Sequence, residues 1–194
     1  MGPSRLEAFS DGVLAIIITI MVLELKVPHE ATAAALAPLL PTLFCYLLSF
    51  VYVGIYWNNH HHLLHACRRV TAGILWANLL LLFWLSLIPF ATAWLGENHF
   101  SKWPTALYGV ALLGPAVAYF ILQNVIVRAQ GPDSLLKKAV GGDLKGKASP
   151  ILYASAIGLA FVAPLVSNLV YVAVALVWLV PDKRIERILA EAEK

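Results

Sequence analysis

The chain has 194 residues, of which 60% are hydrophobic and only 13% are charged, and its mean hydropathy is +0.78. Soluble domains carry about 25% charged residues, so this composition excludes an independent water-soluble domain. Because about 20 apolar helical residues cross a bilayer, the length predicts a small all-α membrane protein with several spans and short connections. The net charge is +3, but the sequence contains no motif that combines basic and aromatic residues for nucleic-acid binding. The composition therefore excludes a nucleic-acid-binding protein.

The first predicted span covers residues 5–26 and contains an acidic residue. Gly12–Leu23 is the only long uncharged run in this region, so a span of the needed length must include Asp11. A cleavable signal peptide is the competing interpretation, because an alanine-rich stretch follows at Ala31–Ala37. Glu7 in the amino-terminal region and Asp11 in the apolar run argue against it.

Four further windows contain no Asp, Glu, Lys or Arg and predict membrane-spanning sequence. The last window, Ser149–Pro181, is too long for one helix, because about 30 helical residues extend about 45 Å. We therefore expect a hairpin that turns near Pro164, Ser167 and Asn168. Residues 1–194 are predicted to form one transmembrane domain with spans at about 5–26, 35–58, 71–94, 104–127, 149–166 and 169–190, the last extending into the cytoplasm.

The basic residues predict the orientation of these six spans. Cytoplasmic loops carry an excess of Lys and Arg, and with both termini inside, only Lys26 and Lys102 of the 14 basic residues face outward. The inward residues are Arg5, Arg68, Arg69, Arg128, Lys137, Lys138, Lys145, Lys147, Lys183, Arg184, Arg187 and Lys194. Both termini are therefore predicted to be cytoplasmic.

One narrow stripe of the first helix is predicted by its periodicity of 100° per residue. The stripe comprises Arg5, Phe9, Gly12, Ile16, Ile20, Leu23 and Val27, with Thr19 at its margin. On periodicity alone, ordinary helix packing is the expected role, because membrane helices are apolar on all sides. Asp11 points away from the stripe, and a carboxylate in a membrane needs a partner. We expect Asp11 to be a structural anchor, paired with Arg5 or with a polar group of the second or third span.

A polar cluster of Asn58, Asn59 and His60–His62, followed by His65, ends the second span. His61 and His65 are four residues apart and share a helical face, which permits metal binding. No cysteine or carboxylate neighbour completes a metal site, so hydrogen bonding at the membrane boundary is the favoured interpretation. Possible partners in the third span are Trp76, Asn78 and Trp84.

Two motifs in these spans resemble those of a known family. The run Arg5-Leu6-Glu7-Ala8-Phe9-Ser10-Asp11 is an R-x-x-x-F-S-D signature, which resembles the hallmark of the transmembrane protein 175 family of potassium channels. The run Tyr56–His61 is similar to that family too. The resemblance implies a homotetramer of six-span units whose first helices line a central pore without a carbonyl filter. The sequence contains no T-V-G-Y-G run.

The resemblance also implies the site residues and their roles. The pore constriction maps to Ile16, with Ile20 and Leu23 as further apolar rings, and the polar pore residue maps to Thr19. Arg5, Phe9, Ser10 and Asp11 form the structural motif, with a possible supporting network of Asn59, His60, His61 and Trp76. Potassium ions would permeate, no cofactor or metal is expected, and the chain would not be an enzyme. The resemblance and the single six-span unit also predict a multi-pass protein of a bacterial inner membrane.

Two other functions fit the sequence. A proton-coupled secondary transporter would use Asp11 and the histidines as proton relays, although such transporters usually contain an internal repeat. A non-conducting membrane scaffold or assembly factor would show no ion flux at all.

Overall fold

The computed structural model describes residues 3–131 and 144–180, and all regular secondary structure in these ranges is helical. The prediction of an all-α membrane fold is confirmed. The helices are α1 (Ser4–Leu23), α2 (Leu40–His65), α3 (Ala72–Ser86), α4 (Ile88–Glu97), α5 (Lys102–Gln130), α6 (Leu144–Leu159) and α7 (Pro164–Leu179), with a 3₁₀ helix at Ala33–Leu39 before α2.

Helices α3 and α4 form one bent segment, so the described chain contains six helical segments. The break lies at Leu87, just before Pro89, which lacks the N–H that would continue the helical hydrogen-bond ladder. Four segments are long and apolar enough to cross a bilayer: α1, α2 with its 3₁₀ turn, α3 with α4, and α5. Helices α6 and α7 are shorter, with 16 residues each in the described ranges.

Side-chain contacts show that successive segments run in opposite directions. Glu7 near the start of α1 contacts His61 near the end of α2. The Gln130 side chain at the end of α5 donates to the Ala66 carbonyl just after α2. At the same end, Lys145 in the first turn of α6 donates to the Val177 carbonyl in the last turn of α7. The starts of α1 and α6 and the ends of α2, α5 and α7 therefore share one end of the bundle.

The last two helices form a hairpin, but its turn lies earlier than the sequence predicted. Helix α6 ends at Leu159 and α7 begins at Pro164, so Ser167 and Asn168 lie within α7. The reason is that both side chains serve contacts between helices. Ser167 donates to the Ala156 carbonyl at 2.7 Å, and Asn168 donates to Thr105 Oγ1 at 3.1 Å.

The interior consists of two apolar clusters on either side of α2. One packs α1 against α2, α3 and α5, and the other packs α2 against α4, α5, α6 and α7. The second is rich in tyrosine, and its hydroxyls bond within the bundle, as in the Tyr52 donation to the Tyr171 carbonyl at 2.6 Å. Helices α3 and α5 approach closely at Gly114, where a Cβ atom would lie 2.2 Å from the Trp84 ring.

An ion pair joins the segment just after α1 to the end of α4, at the opposite end of the bundle. Lys26 Nζ lies 2.5 Å from Glu97 Oε1, and both side chains are largely exposed. The hydrogen bond to Glu97, followed by its charge, raises the pKa of Lys26 above its ordinary value. Because solvent screens exposed pairs, this contact orients the ends of the two helices without adding much stability.

Candidate functional site: the first helix

Helix α1 has one face that is buried against the rest of the chain and one face that is exposed. The inner face consists of Leu6, Ser10, Leu14, Ile17 and Met21, all buried. The outer face carries the predicted stripe, with Ile16 59% exposed and Leu23 75% exposed. Helical geometry accounts for the division, since Ile17 is rotated 100° from Ile16 toward the interior of the bundle. The outer face is free to meet lipid, another subunit or a pore.

Asp11 has a partner on α2. Its Oδ1 accepts a hydrogen bond of 3.1 Å from Trp57 Nε1. The sequence predicted either Arg5 or a polar group of the second or third span as the partner. The structure shows that the partner is Trp57, in the second span. Arg5 is exposed and forms no ion pair with any residue in 3–131 or 144–180. The contact joins the first two turns of α1 to the last two turns of α2.

Ser10 begins a buried hydrogen-bond chain through three helices. Asn78 of α3 donates from Nδ2 to Ser10 Oγ at 3.0 Å, and Asn78 Oδ1 lies 2.7 Å from His60 Nε2 on α2. Since Asn78 Oδ1 can only accept, His60 must carry its proton on Nε2 in this arrangement. The other ring nitrogen, Nδ1, is then an acceptor, and it is the one buried side-chain polar atom in the described ranges without a partner.

His61 makes a third contact to α1. Its Nδ1 lies 2.6 Å from Glu7 Oε1, and its ring stacks between those of Trp57 and His65 on the same face of α2. Glu7 was not predicted as a contact residue, although its position one turn before Asp11 places both carboxylates on one face. Within residues 3–131 and 144–180, no three His, Cys, Asp or Glu side chains come together as a possible metal site.

The predicted supporting network is brought together only in part. His60 and His61 join the contacts to α1, but Trp76 is 73% exposed on α3, and Asn78 bridges α1 and α2 in its place. Asn78 is the one amide in α3, which was the signal in the sequence. Asn59 donates to the Ile55 carbonyl of its own helix and faces away from α1 toward α5, where its carbonyl accepts from Tyr119.

Three further features lie on or beside the outer face of α1. The Thr19 hydroxyl donates to the Ala15 carbonyl at 2.8 Å, so its oxygen lone pairs remain on the exposed side. Phe9 is exposed as well. A groove of about 370 Å³ runs between α1 and α4, lined by Ile16 and Ile20 on one side and by Pro89 and Phe90 on the other.

We expect Asp11→Ala to lower the amount of assembled protein more than it changes ion selectivity. The substitution removes the acceptor of the hydrogen bond from Trp57 Nε1, which is exposed, and such a bond contributes about 0.5–1.5 kcal/mol. Asp11→Asn, which retains an acceptor oxygen, is the matched control and should assemble better. Yield and thermal unfolding of the purified protein measure the effect. Normal assembly with altered selectivity would contradict the anchoring role.

Comparisons with known proteins agree with this arrangement. A family model described as endosomal/lysosomal potassium channel TMEM175 matches residues 5–89, which contain α2, α3 and all of α1 except its first residue. A potassium channel of Chryseobacterium sp. (strain P1-3) is 56% identical over 191 residues, covering 98% of this chain and 100% of that protein. The human endosomal/lysosomal proton channel TMEM175 is 33% identical over 103 residues, which are 47% of this chain and 20% of that protein.

A solved structure is similar over nearly the whole chain. The crystal structure of a lysosomal potassium-selective channel TMEM175 homolog from Chamaesiphon minutus has a TM-score of 0.82 and 28% identity, covering 93% of this chain and 97% of that one. The fold and its contacts are thus those of a multi-pass α-helical membrane protein of an ion-channel class. The chain belongs to the TMEM175 family, which is a family of channels and not of enzymes.

Proposed function

We propose that this chain is a potassium channel subunit and that the outer face of α1 lines the ion pathway. The proposal rests on one observation, namely that α1 has an exposed face and an opposite, buried face. Ile16, Ile20 and Leu23 are exposed, while the opposite face is fixed to α2 and α3 by buried packing and hydrogen bonds. The relatives named as potassium channels support the choice of ion.

The proposed mechanism relies on dehydration at an apolar constriction. A ring of Ile16 side chains offers no ligand atom, so an ion must lose or thin its water shell to pass. Potassium loses water more readily than sodium, so a narrow apolar neck favours potassium modestly, and a small inward shift of the helices closes it by dewetting. No carbonyl filter takes part in this mechanism.

Thr19 is proposed as the polar residue of the pathway. Because its proton is donated to the Ala15 carbonyl, the hydroxyl oxygen can present its lone pairs to a passing cation. Thr19 lies one helical turn from Ile16, so this oxygen would meet the ion just beyond the constriction. Within the motif of Arg5, Phe9, Ser10 and Asp11, we propose that Ser10 and Asp11 hold the helix through Asn78 and Trp57, and that no member of the motif coordinates ions.

The channel is proposed to be a homotetramer, because one exposed stripe cannot enclose a pore and closed symmetry is the usual way to repeat it. The groove between Ile16 and Phe90 supports the proposal, since it leaves room on each protomer for side chains of a neighbour. We expect a tetramer by native mass spectrometry in mild detergent. A monomer or a dimer under conditions that preserve the fold would count against it.

The orientation and boundaries are proposed together. We place the end of the bundle that carries Glu7, His61 and Lys145 in the cytoplasm, because in the described ranges that end holds all of the basic residues except Lys26 and Lys102. Residues 1–194 then form one transmembrane domain of six spans with both termini cytoplasmic. The host membrane is proposed to be a bacterial inner membrane, given the bacterial relatives.

The deciding experiment is ion flux through purified protein in lipid vesicles under a potassium gradient. The proposal predicts potassium flux that requires no second substrate and exceeds sodium flux. Saturating, substrate-dependent flux would favour the proton-coupled transporter, and absence of flux would favour the scaffold. Proton flux is measured in parallel, since the relatives from Homo sapiens and Mus musculus are named as proton channels.

A further inference from the structure

A second cavity lies away from α1, between α2, α5, α6 and α7. It has a volume of about 60 Å³, and its walls include Tyr52, Tyr56, Tyr119, Tyr153 and Trp178. Its other lining residues include Asn59, Gln123 and Lys147, which lie toward the end of the bundle where α2 and α5 end and α6 begins. The cavity is therefore a mainly aromatic chamber with a polar mouth at one end of the bundle.

Several polar atoms of the wall already have partners in the protein. The Tyr52 hydroxyl donates to the Tyr171 carbonyl, the Tyr119 hydroxyl donates to the Asn59 carbonyl, and Trp178 Nε1 donates to Ser149 Oγ at 2.8 Å. These residues therefore line the cavity mainly with their aromatic rings. An apolar cavity binds apolar groups better than water, so these walls fit a hydrocarbon group.

The volume limits what can enter. A water molecule needs about 10–15 Å³ of such space, so about 60 Å³ accommodates roughly four to six atoms of that size. A whole lipid does not fit, but a short segment of one acyl chain does. Because the cavity opens within a bundle surrounded by lipid, acyl chains are the hydrocarbon present at the highest concentration.

The charge at the mouth selects the headgroup. Lys147 is exposed there, whereas Lys145 is engaged with the Val177 and Val180 carbonyls at the end of α7. A lysine at a membrane surface attracts anionic lipid. We propose that the cavity binds one chain segment of an anionic phospholipid whose phosphate lies at Lys147.

The test uses Trp178, whose indole lines the cavity, as the reporter. Purified protein is placed in mixed phosphatidylglycerol and phosphatidylcholine vesicles of fixed composition, with bromine on the acyl chains of only one lipid. Bromine quenches tryptophan at short range, and the Trp178 contribution is obtained by subtracting a Trp178→Phe variant, because the chain has six tryptophans. We expect brominated phosphatidylglycerol to quench Trp178 with about fivefold preference over brominated phosphatidylcholine.

Three variants and one additive complete the test. Lys147→Gln should abolish the preference, whereas Lys102→Gln, at the start of α5 and the other end of the bundle, should retain it. Ala116→Leu, which adds volume to the cavity wall, should lower quenching by both lipids while Lys147 remains. Inorganic phosphate should leave quenching unchanged. Equal quenching by both lipids, a preference that survives Lys147→Gln, or displacement by free phosphate would overturn the proposal, whether or not the protein conducts potassium.

Discussion

Replacing Ile16 with asparagine is expected to raise cation conductance and lower the preference for potassium over sodium. Ile16 lies at the centre of the exposed stripe, where symmetry would bring four copies together around the axis. Four amide groups would return part of the hydration that an ion loses in the neck and would remove the dewetting barrier. Sodium would gain more than potassium, because its dehydration costs more. Single-channel recording with potassium and sodium measures both quantities.

The matched control for this substitution is Val22→Asn. Val22 is 43% exposed, close to the 42% of Ile20, but it is rotated by about 120° from Ile16 around the helix. Ile17, which is rotated 100° from Ile16, is unsuitable as a control because it is 3% exposed and packs in the core. Ile17→Asn would bury an unpaired amide and is expected to lose folded protein. A changed conductance in Val22→Asn with none in Ile16→Asn would contradict the assignment of the pore face.

Asn78→Leu is expected to destabilise the folded protein by about 1–3 kcal/mol. The substitution leaves the His60 Nε2 proton buried without an acceptor and removes the donor to Ser10. Hydrogen bonds between membrane helices are worth only about 0.6 kcal/mol on average, so the larger cost comes from the stranded group. Thermal unfolding in detergent, followed by tryptophan fluorescence, measures it.

The double variant His60→Leu, Asn78→Leu provides the control. Replacing both partners with apolar side chains of similar size leaves no stranded donor, so the double variant should be more stable than the two single effects predict. A positive coupling shows that His60 and Asn78 act as a pair across α2 and α3. Additive effects would mean that the bond contributes nothing beyond the packing of each side chain.

The helical architecture was predictable because charge is expensive in hydrocarbon. Windows without charged residues predicted helices in the second, third and fourth segments, and α2, α3 with α4, and α5 overlap the predicted spans 35–58, 71–94 and 104–127 and extend beyond them. The bend at Leu87 was not predicted, because a proline within an apolar window does not show whether a helix stops or bends. The turn of the last hairpin was misplaced, because Ser167 and Asn168 bond to neighbouring helices.

The two faces of α1 were predictable only in part. Periodicity placed Ile16, Ile20 and Leu23 on one stripe, but Ile17 and Leu14 on the buried side are equally apolar. In a membrane, hydrophobicity cannot distinguish a core face from a lipid or pore face, since all three are apolar. Polar residues are more informative, because each needs a partner in hydrocarbon. Asp11 and His60 therefore pointed to contacts between helices. Asn78 was one of three partners named from the sequence for the cluster that contains His60, whereas Trp57 as the partner of Asp11 was identified only in the structure.

The central claim is that the outer face of α1 lines the ion pathway, and silver block of potassium flux tests it most directly. The buried thiols of Cys45 and Cys67 are first replaced by alanine, and Ile16→Cys or Val22→Cys is then added. Silver ions are monovalent, small enough to follow potassium, and bind thiolates tightly. We predict that silver blocks potassium flux through Ile16→Cys vesicles and leaves Val22→Cys and the thiol-free parent unaffected. Block at Val22→Cys without block at Ile16→Cys would contradict the account.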